Sequence, residues 1–171
     1  MGAVQYCVST FAPLVGRDPY IHHGSLAVER GLDKAFSLAE RYLRGDSIMR
    51  RTFDDLESGR TTFVIAKNSH GDDHFDPSSR TVAWDPHSAL RTTDGGRQSP
   101  ALGLGHELAH ADEDARVRAY LAATPSVRYD DAEERRVIRG AEAHAARSLG
   151  EATRYDHDGT TYRVSSPAAL A

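Results

Sequence analysis

His106-Glu107-Leu108-Ala109-His110 is the stretch whose residue types and spacing could do chemistry. On a helix, residues four apart lie on one face about a turn from each other, so His106 and His110 can aim two imidazoles at one point. Two protein ligands of a tetrahedral zinc site need that geometry. Glu107 is rotated about 100° from His106, beside the position a substrate or water would take, where a carboxylate can accept a proton from a water on the metal. The alternative is a solvated helix that happens to carry two histidines. The surrounding Ala101, Leu102, Leu104, Leu108, Ala109 and Ala111 argue against it. They predict a buried helix, and buried imidazoles and a carboxylate require a partner.

Cysteine cannot complete the site, because Cys7 is the only one in the chain. A single cysteine also excludes an intrachain disulfide. The metal set must come from His, Asp and Glu, which suits a catalytic site with an open position better than a closed structural one. The expected cofactor is therefore Zn2+. The third ligand is expected on a helix packing back against the first. Glu134 is preferred, then Glu142, then Glu133, and a glutamate that does not ligate could orient a histidine from behind. Arg154, Tyr155 and Tyr162 follow that helix and are candidates to stabilise a developing oxyanion. His22 and His23 are adjacent and would face opposite ways on a strand. The acidic loop containing His70, Asp72, Asp73, His74 and Asp76 reads as a solvated turn.

Those residues must be held by the rest of a 171-residue chain, a length that fits one domain with a real core. Hydrophobic residues make up 39 % and charged residues 27 %, ordinary for a globular protein, and a net charge of −4 offers no footprint for nucleic acid. No apolar run approaches the roughly 18 residues of a membrane span. Residues 1–24 read as an irregular leader without the plan of a cleaved signal peptide. Helices are predicted from Ser25 to about Leu43 and from Ser47 to Leu56, and strands over Arg60–Lys67 and Thr81–Asp85. Ser99 should cap the metal helix with Pro100 at its first position, running to about Ala122. A second helix should run from about Ala132 to Leu149, followed by a short strand over Thr160–Val164. The domain is thus placed at 25–165, with a frayed end at 166–171. The fold class expected is α+β, with two antiparallel ligand helices and a small flanking sheet. The strand edge near Trp84 is expected to take an extended peptide by strand addition.

The run from Gln98 to Ala111 resembles the active-site segment of the NleD-like zinc metallopeptidases, bacterial type III secreted effectors that include XopG-like and HopH-like proteins. The resemblance extends in order through Leu56-Glu57-Ser58-Gly59, Phe63-Val64-Ile65, Trp84-Asp85-Pro86, Glu133-Glu134, Glu142, Leu149-Gly150-Glu151 and Arg154. It implies a zincin-like domain and a zinc endopeptidase, a secreted virulence protein delivered by a type III system into the host cytoplasm to cut a host signalling protein. In the animal-pathogen members that substrate is a mitogen-activated protein kinase. Glu133-Glu134 also resembles the third-ligand segment of clostridial neurotoxin light chains, which implies zinc on His106, His110 and Glu134, Glu107 as base, and Arg154 and Tyr155 at the transition state. The leader would then serve as secretion signal. The expected partner is a protein substrate, with no nucleic acid or membrane and the chain acting as a monomer. Two alternatives stand beside this reading. One is a non-catalytic binding module stabilised by the same metal. The other is a peptidase toxin domain from a contact-delivered polymorphic toxin.

Overall fold

The computed structural model describes residues 18–170, a mixed α+β architecture. Its main sheet has the strand order β1-β2-β3-β5-β4, formed by β1 (Tyr20–His23), β2 (Leu26–Glu29), β3 (Phe63–Lys67), β4 (His74–Asp76) and β5 (Thr81–Trp84). The strands β2, β3 and β5 run parallel, with Ile65 opposite Val28 on one side and Val82 on the other, and all three are fully buried. The edge strand β4 is antiparallel to β5. A second sheet joins β6 (Ser88–Thr92), β7 (Arg97–Gln98) and a later strand over Gly159–Arg163. No helix among the described residues is long and apolar enough to cross a membrane.

Two helices precede the metal segment, α1 (Asp33–Leu43) and α2 (Ser47–Ser58). They place Phe36, Ala39, Leu43, Met49, Phe53 and Leu56 on the core, the spacing of an amphipathic face. The central helix α3 (Pro100–Ala111) lies on this layer and is buried almost all round. Ser99 caps it, accepting from the Leu102 N–H at 3.2 Å, with Pro100 at its first position as expected. Gly105 explains how α3 can approach α1 and α2 so closely. A Cβ there would lie 2.9 Å from Met49 Sδ and 3.2 Å from a Leu43 methyl.

Three contacts pin the start of α3, and so His106 and His110 behind it. The Trp84 indole donates to the Pro100 carbonyl at 2.8 Å. Glu151 accepts from the Ser99 N–H at 2.6 Å and its hydroxyl at 2.7 Å. The Ala101 N–H reaches the Pro167 carbonyl at 2.7 Å.

Several expectations are corrected here. Residues 26–29 are a central strand and not the first turn of a helix, since Leu26, Ala27 and Val28 are buried between β1 and β3. Tyr20–His23, expected within an irregular leader, forms β1; the rest of that leader, residues 1–17, lies outside the described residues. Asp46, and not Ser47, caps α2. The helix expected to run to Ala122 stops at Ala111, and Asp114 caps a separate helix α4 (Ala115–Ala122). Of the end expected to fray at 166–171, the described part reaches the second sheet, where Arg97 and Tyr162 both donate to the Leu170 carbonyl; Ala171 lies outside the described residues. The strand edge expected near Trp84 is that of β4, which pairs with β5; Trp84's own strand is paired on both sides.

Beyond α4, a two-residue ladder of β8 (Pro125–Ser126) and β9 (Asp130–Asp131) returns the chain to α5 (Ala132–Val137). A π turn over Ile138–Glu142 follows, then α6 (Ala143–Leu149), ended by Gly150 in the left-handed conformation at φ 77°. The last strand, β10 (Gly159–Arg163), completes the second sheet against β6.

Candidate metal centre

His106 and His110 sit one turn apart on α3, both buried, with their Nε2 atoms 3.1 Å from each other. Each ring is held from behind by its own carboxylate. His106 Nδ1 lies 2.7 Å from Glu142 Oε2, and His110 Nδ1 lies 3.0 Å from Glu133 Oε1. A neutral imidazole has one N–H, and a carboxylate behind Nδ1 draws it there, leaving the Nε2 lone pair pointing forward. Glu134 closes the triangle, with Oε2 3.1 Å from His106 Nε2 and Oε1 3.1 Å from His110 Nε2. Glu134 Oε2 is buried without a hydrogen-bond partner. Three sets of lone pairs thus converge with no proton donor among them when both rings are neutral, an arrangement that a cation relieves.

Among the described residues this is the one group of His, Cys, Asp or Glu side chains close enough to hold a metal ion, with ligand atoms all within 4.8 Å of one another. It contains the three ligands expected first. Glu133 and Glu142, the competing candidates, face the Nδ1 side of the rings and orient them. Asp131 caps α5 through the N–H groups of Glu133 and Glu134 at 2.8 and 2.9 Å, presenting both carboxylates from the first turn. At α-helical pitch Glu142, eight residues past Glu134, would sit about 80° round from it. The intervening π turn re-aims that later position, and Glu142 ends on His106.

The electrostatics follow from burial against charge. Burial alone would lower the His106 pKa, but the carboxylates of Glu134 and Glu142 against its ring and the Glu107 charge hold it up at about 10. His110 is raised in the same way by Glu133 and Glu134. Burial would raise the Glu134 carboxyl, yet the two imidazoles hold it far below the usual carboxylate range. Without a metal, the cluster holds a proton where a cation would sit.

Glu107 Oε1 lies 3.9 Å from His106 Nε2 on the cleft side. Two cavities meet there. One of about 380 Å³ runs between β4 and α4, past Phe75, Arg118, His110 and Glu134. The other, about 170 Å³, is bounded by Ser88, Leu90, Gln98 and Arg154. Asp72, Asp73, Glu107 and His157 border both. The loop read as a solvated turn therefore forms the far wall of the cleft. Burial and the charges of Glu107 and Asp85 push the Asp73 carboxyl up to about 7, against the Asp85 N–H it accepts.

The residues expected over the metal are placed differently. Arg154 is buried, with Nε and Nη2 on the Glu142 carboxylate at 2.8–3.1 Å. It steadies the carboxylate behind His106 and spends its charge there. Tyr155 is 61 % exposed and lines a separate groove with Arg128, Arg135 and Arg139. Tyr162 donates to Leu170. His157, not singled out among the nine histidines, is the residue from this loop that reaches the centre, with Nε2 3.4 Å from Glu134 Oε2. The turn at Asp158-Gly159 hides it from any periodicity argument. His22 and His23 lie on β1, where His22 meets Asp18 and His23 packs on Phe36.

No protein-family model matches the chain, and no curated protein or solved structure matches it either.

Proposed function

We propose that this chain is a zinc-dependent endopeptidase. The observation that carries the reading is the convergence of His106, His110 and Glu134 on one point with Glu107 beside it. A two-histidine, one-carboxylate set is a donor combination of catalytic zinc sites and leaves a position open. A zinc ion held there would supply Lewis acidity, acidifying a water and polarising a scissile carbonyl.

The protein's own groups have distinct tasks. Glu107 takes the proton from the attacking water and passes it to the departing amine, work that needs a carboxylate within reach of both. Glu142 and Glu133 keep the Nδ1 protons of His106 and His110 pointing backwards, so that both Nε2 atoms stay available as ligands. Arg154 secures Glu142 in turn. The edge strand β4 borders the larger cavity and has unpaired backbone groups on its outer side, which suits an extended peptide laid antiparallel or parallel to it. The central helix packed on a sheet whose edge strand lines the cleft supports the zincin-like arrangement.

A hydrolase needs Glu107, whereas a metal-stabilised binding module does not. Zinc-loaded wild type and Glu107→Gln should therefore be incubated with a mixed peptide library and the products read by mass spectrometry. Internal cleavages by the wild type that vanish in Glu107→Gln support a peptidase; no cleavage by the zinc-loaded wild type against peptides and unfolded proteins refutes it. The narrower reading, an effector of the NleD-like kind acting on a host signalling protein, rests on the ordered sequence resemblance from Leu56 to Tyr155.

A further inference from the structure

We propose that His157 is a fourth, displaceable protein ligand of the same centre, closing it at rest and giving way when a substrate enters. This rests on the reading that His106, His110 and Glu134 hold a metal.

The argument starts from a repeated arrangement. His106 has Glu142 on Nδ1 and Glu134 near Nε2; His110 has Glu133 on Nδ1 and Glu134 near Nε2. His157 repeats it, with Asp130 Oδ2 2.7 Å from Nδ1 and Glu134 Oε2 3.4 Å from Nε2. A carboxylate on Nδ1 draws the N–H to that side and leaves a lone pair on Nε2, the state in which histidine binds metals. Glu134 Oε2 has the Nε2 atoms of His106 and His157 at 3.1 and 3.4 Å and no hydrogen-bond partner among the described residues. His157 stands outside the set of ligand atoms that lie within 4.8 Å of one another, so its exposed ring has to swing inward past that oxygen to meet a cation held by the other three.

The backbone supports the placement. The His157 N–H bonds to the Arg128 carbonyl at 2.9 Å, and its carbonyl accepts from Arg154 Nη1 at 3.2 Å. The ring is thus brought to the mouth by contacts on both sides of its own peptide.

Its exposure distinguishes it from the other two. The His106 and His110 side chains are 5 % and 7 % exposed, whereas His157 is 41 % exposed and its partner Asp130 74 %. A ligand held by an exposed carboxylate can swing away at little cost. His157 also borders both cavities, so a peptide spanning them would meet its ring.

Zinc affinity by competition with a chromophoric chelator, and the visible spectrum of the cobalt(II)-loaded full chain, test this. Wild type, His157→Ala and Asp130→Asn are compared; Asp130 has φ 63°, a conformation Asn tolerates. His157→Ala should bind zinc at least about tenfold more weakly, and azide should bind its cobalt centre at least about tenfold more tightly, since no side chain has to leave. Free imidazole should restore the wild-type spectrum to His157→Ala. Asp130→Asn should move in the same direction by a smaller factor. Equal zinc affinity, the same spectrum and equal azide binding in wild type and His157→Ala would overturn the proposal. Failure of the wild type to bind either metal would instead overturn the reading beneath it.

Discussion

Glu142 is the residue whose replacement should report most on how the centre is built. It is 1 % exposed and meets three side chains on its two oxygens. Gln98 Nε2 donates to Oε1 at 2.8 Å, Arg154 Nε straddles both at 3.0 and 3.1 Å, Arg154 Nη2 donates to Oε2 at 2.8 Å, and His106 Nδ1 meets Oε2 at 2.7 Å. Burial would raise its pKa, but His106 and Arg154 hold it at about 2. Glu142→Gln keeps the shape and fails electrically. Whichever way the amide turns, its NH2 faces either Gln98 or His106 and Arg154, all donors. An orphaned buried donor costs about 1–3 kcal/mol, and leaving the Arg154 charge unpaired brings the expected loss to about 3–5 kcal/mol. For a chain of this size that is a fall in Tm of about 10 °C. Removing the cation as well should recover much of it, so Arg154→Met alone and Glu142→Gln/Arg154→Met complete a double-mutant cycle. Thermal and urea unfolding of the four metal-free chains measures the coupling, and zinc titration should show Glu142→Gln weaker by about 10–100-fold. Additive losses in the cycle, or wild-type zinc affinity in Glu142→Gln, would refute the claim that Arg154 serves the centre through Glu142.

Zinc binding should release protons, because the His106 pKa is held at about 10 in the metal-free cluster and that of His110 is raised. At least about one per zinc at pH 7 is expected from calorimetry in buffers of different ionisation enthalpy, and none would contradict the site. Asp73 gives a pH signature of its own, faced by Glu107, Asp85 and the Asn68 amide. Its folded pKa, about 7, lies above its ordinary 3.8, so the folded chain keeps a proton that the unfolded chain loses. Its contribution is present in full below about pH 4 and is lost as pH rises to about 7. Metal-free Asp73→Asn should lack that loss, gaining on the wild type by up to about 4 kcal/mol across the window; urea unfolding at pH 4 and 8 measures it.

Helix α3 was legible because one local pattern carries it. Four-residue spacing places His106 and His110 together without knowledge of the fold, and Ser99-Pro100 marks the start. The third ligand was not separable by spacing, since Glu133, Glu134 and Glu142 can all face α3. Docking of α5 and the π turn sends Glu134 to the front and the other two behind. Leu26-Ala27-Val28 shows the limit of periodicity, because a short apolar run fits a buried strand as well as a helix. Arg154 lies away from its expected place and His157, which no pattern marked, lies near Glu134, for a reason outside local pattern. The buried Glu142 charge captures the arginine, and the loop before β10 delivers the histidine.

Elemental analysis of zinc-saturated, desalted protein tests the central claim most directly, comparing wild type with Glu107→Gln, Glu134→Ala and His110→Ala. The account predicts about one zinc per chain in wild type and Glu107→Gln, and a clear loss in the other two. Full zinc content in Glu134→Ala would contradict its place as third ligand, and a wild type that retains no zinc would contradict the metal centre itself.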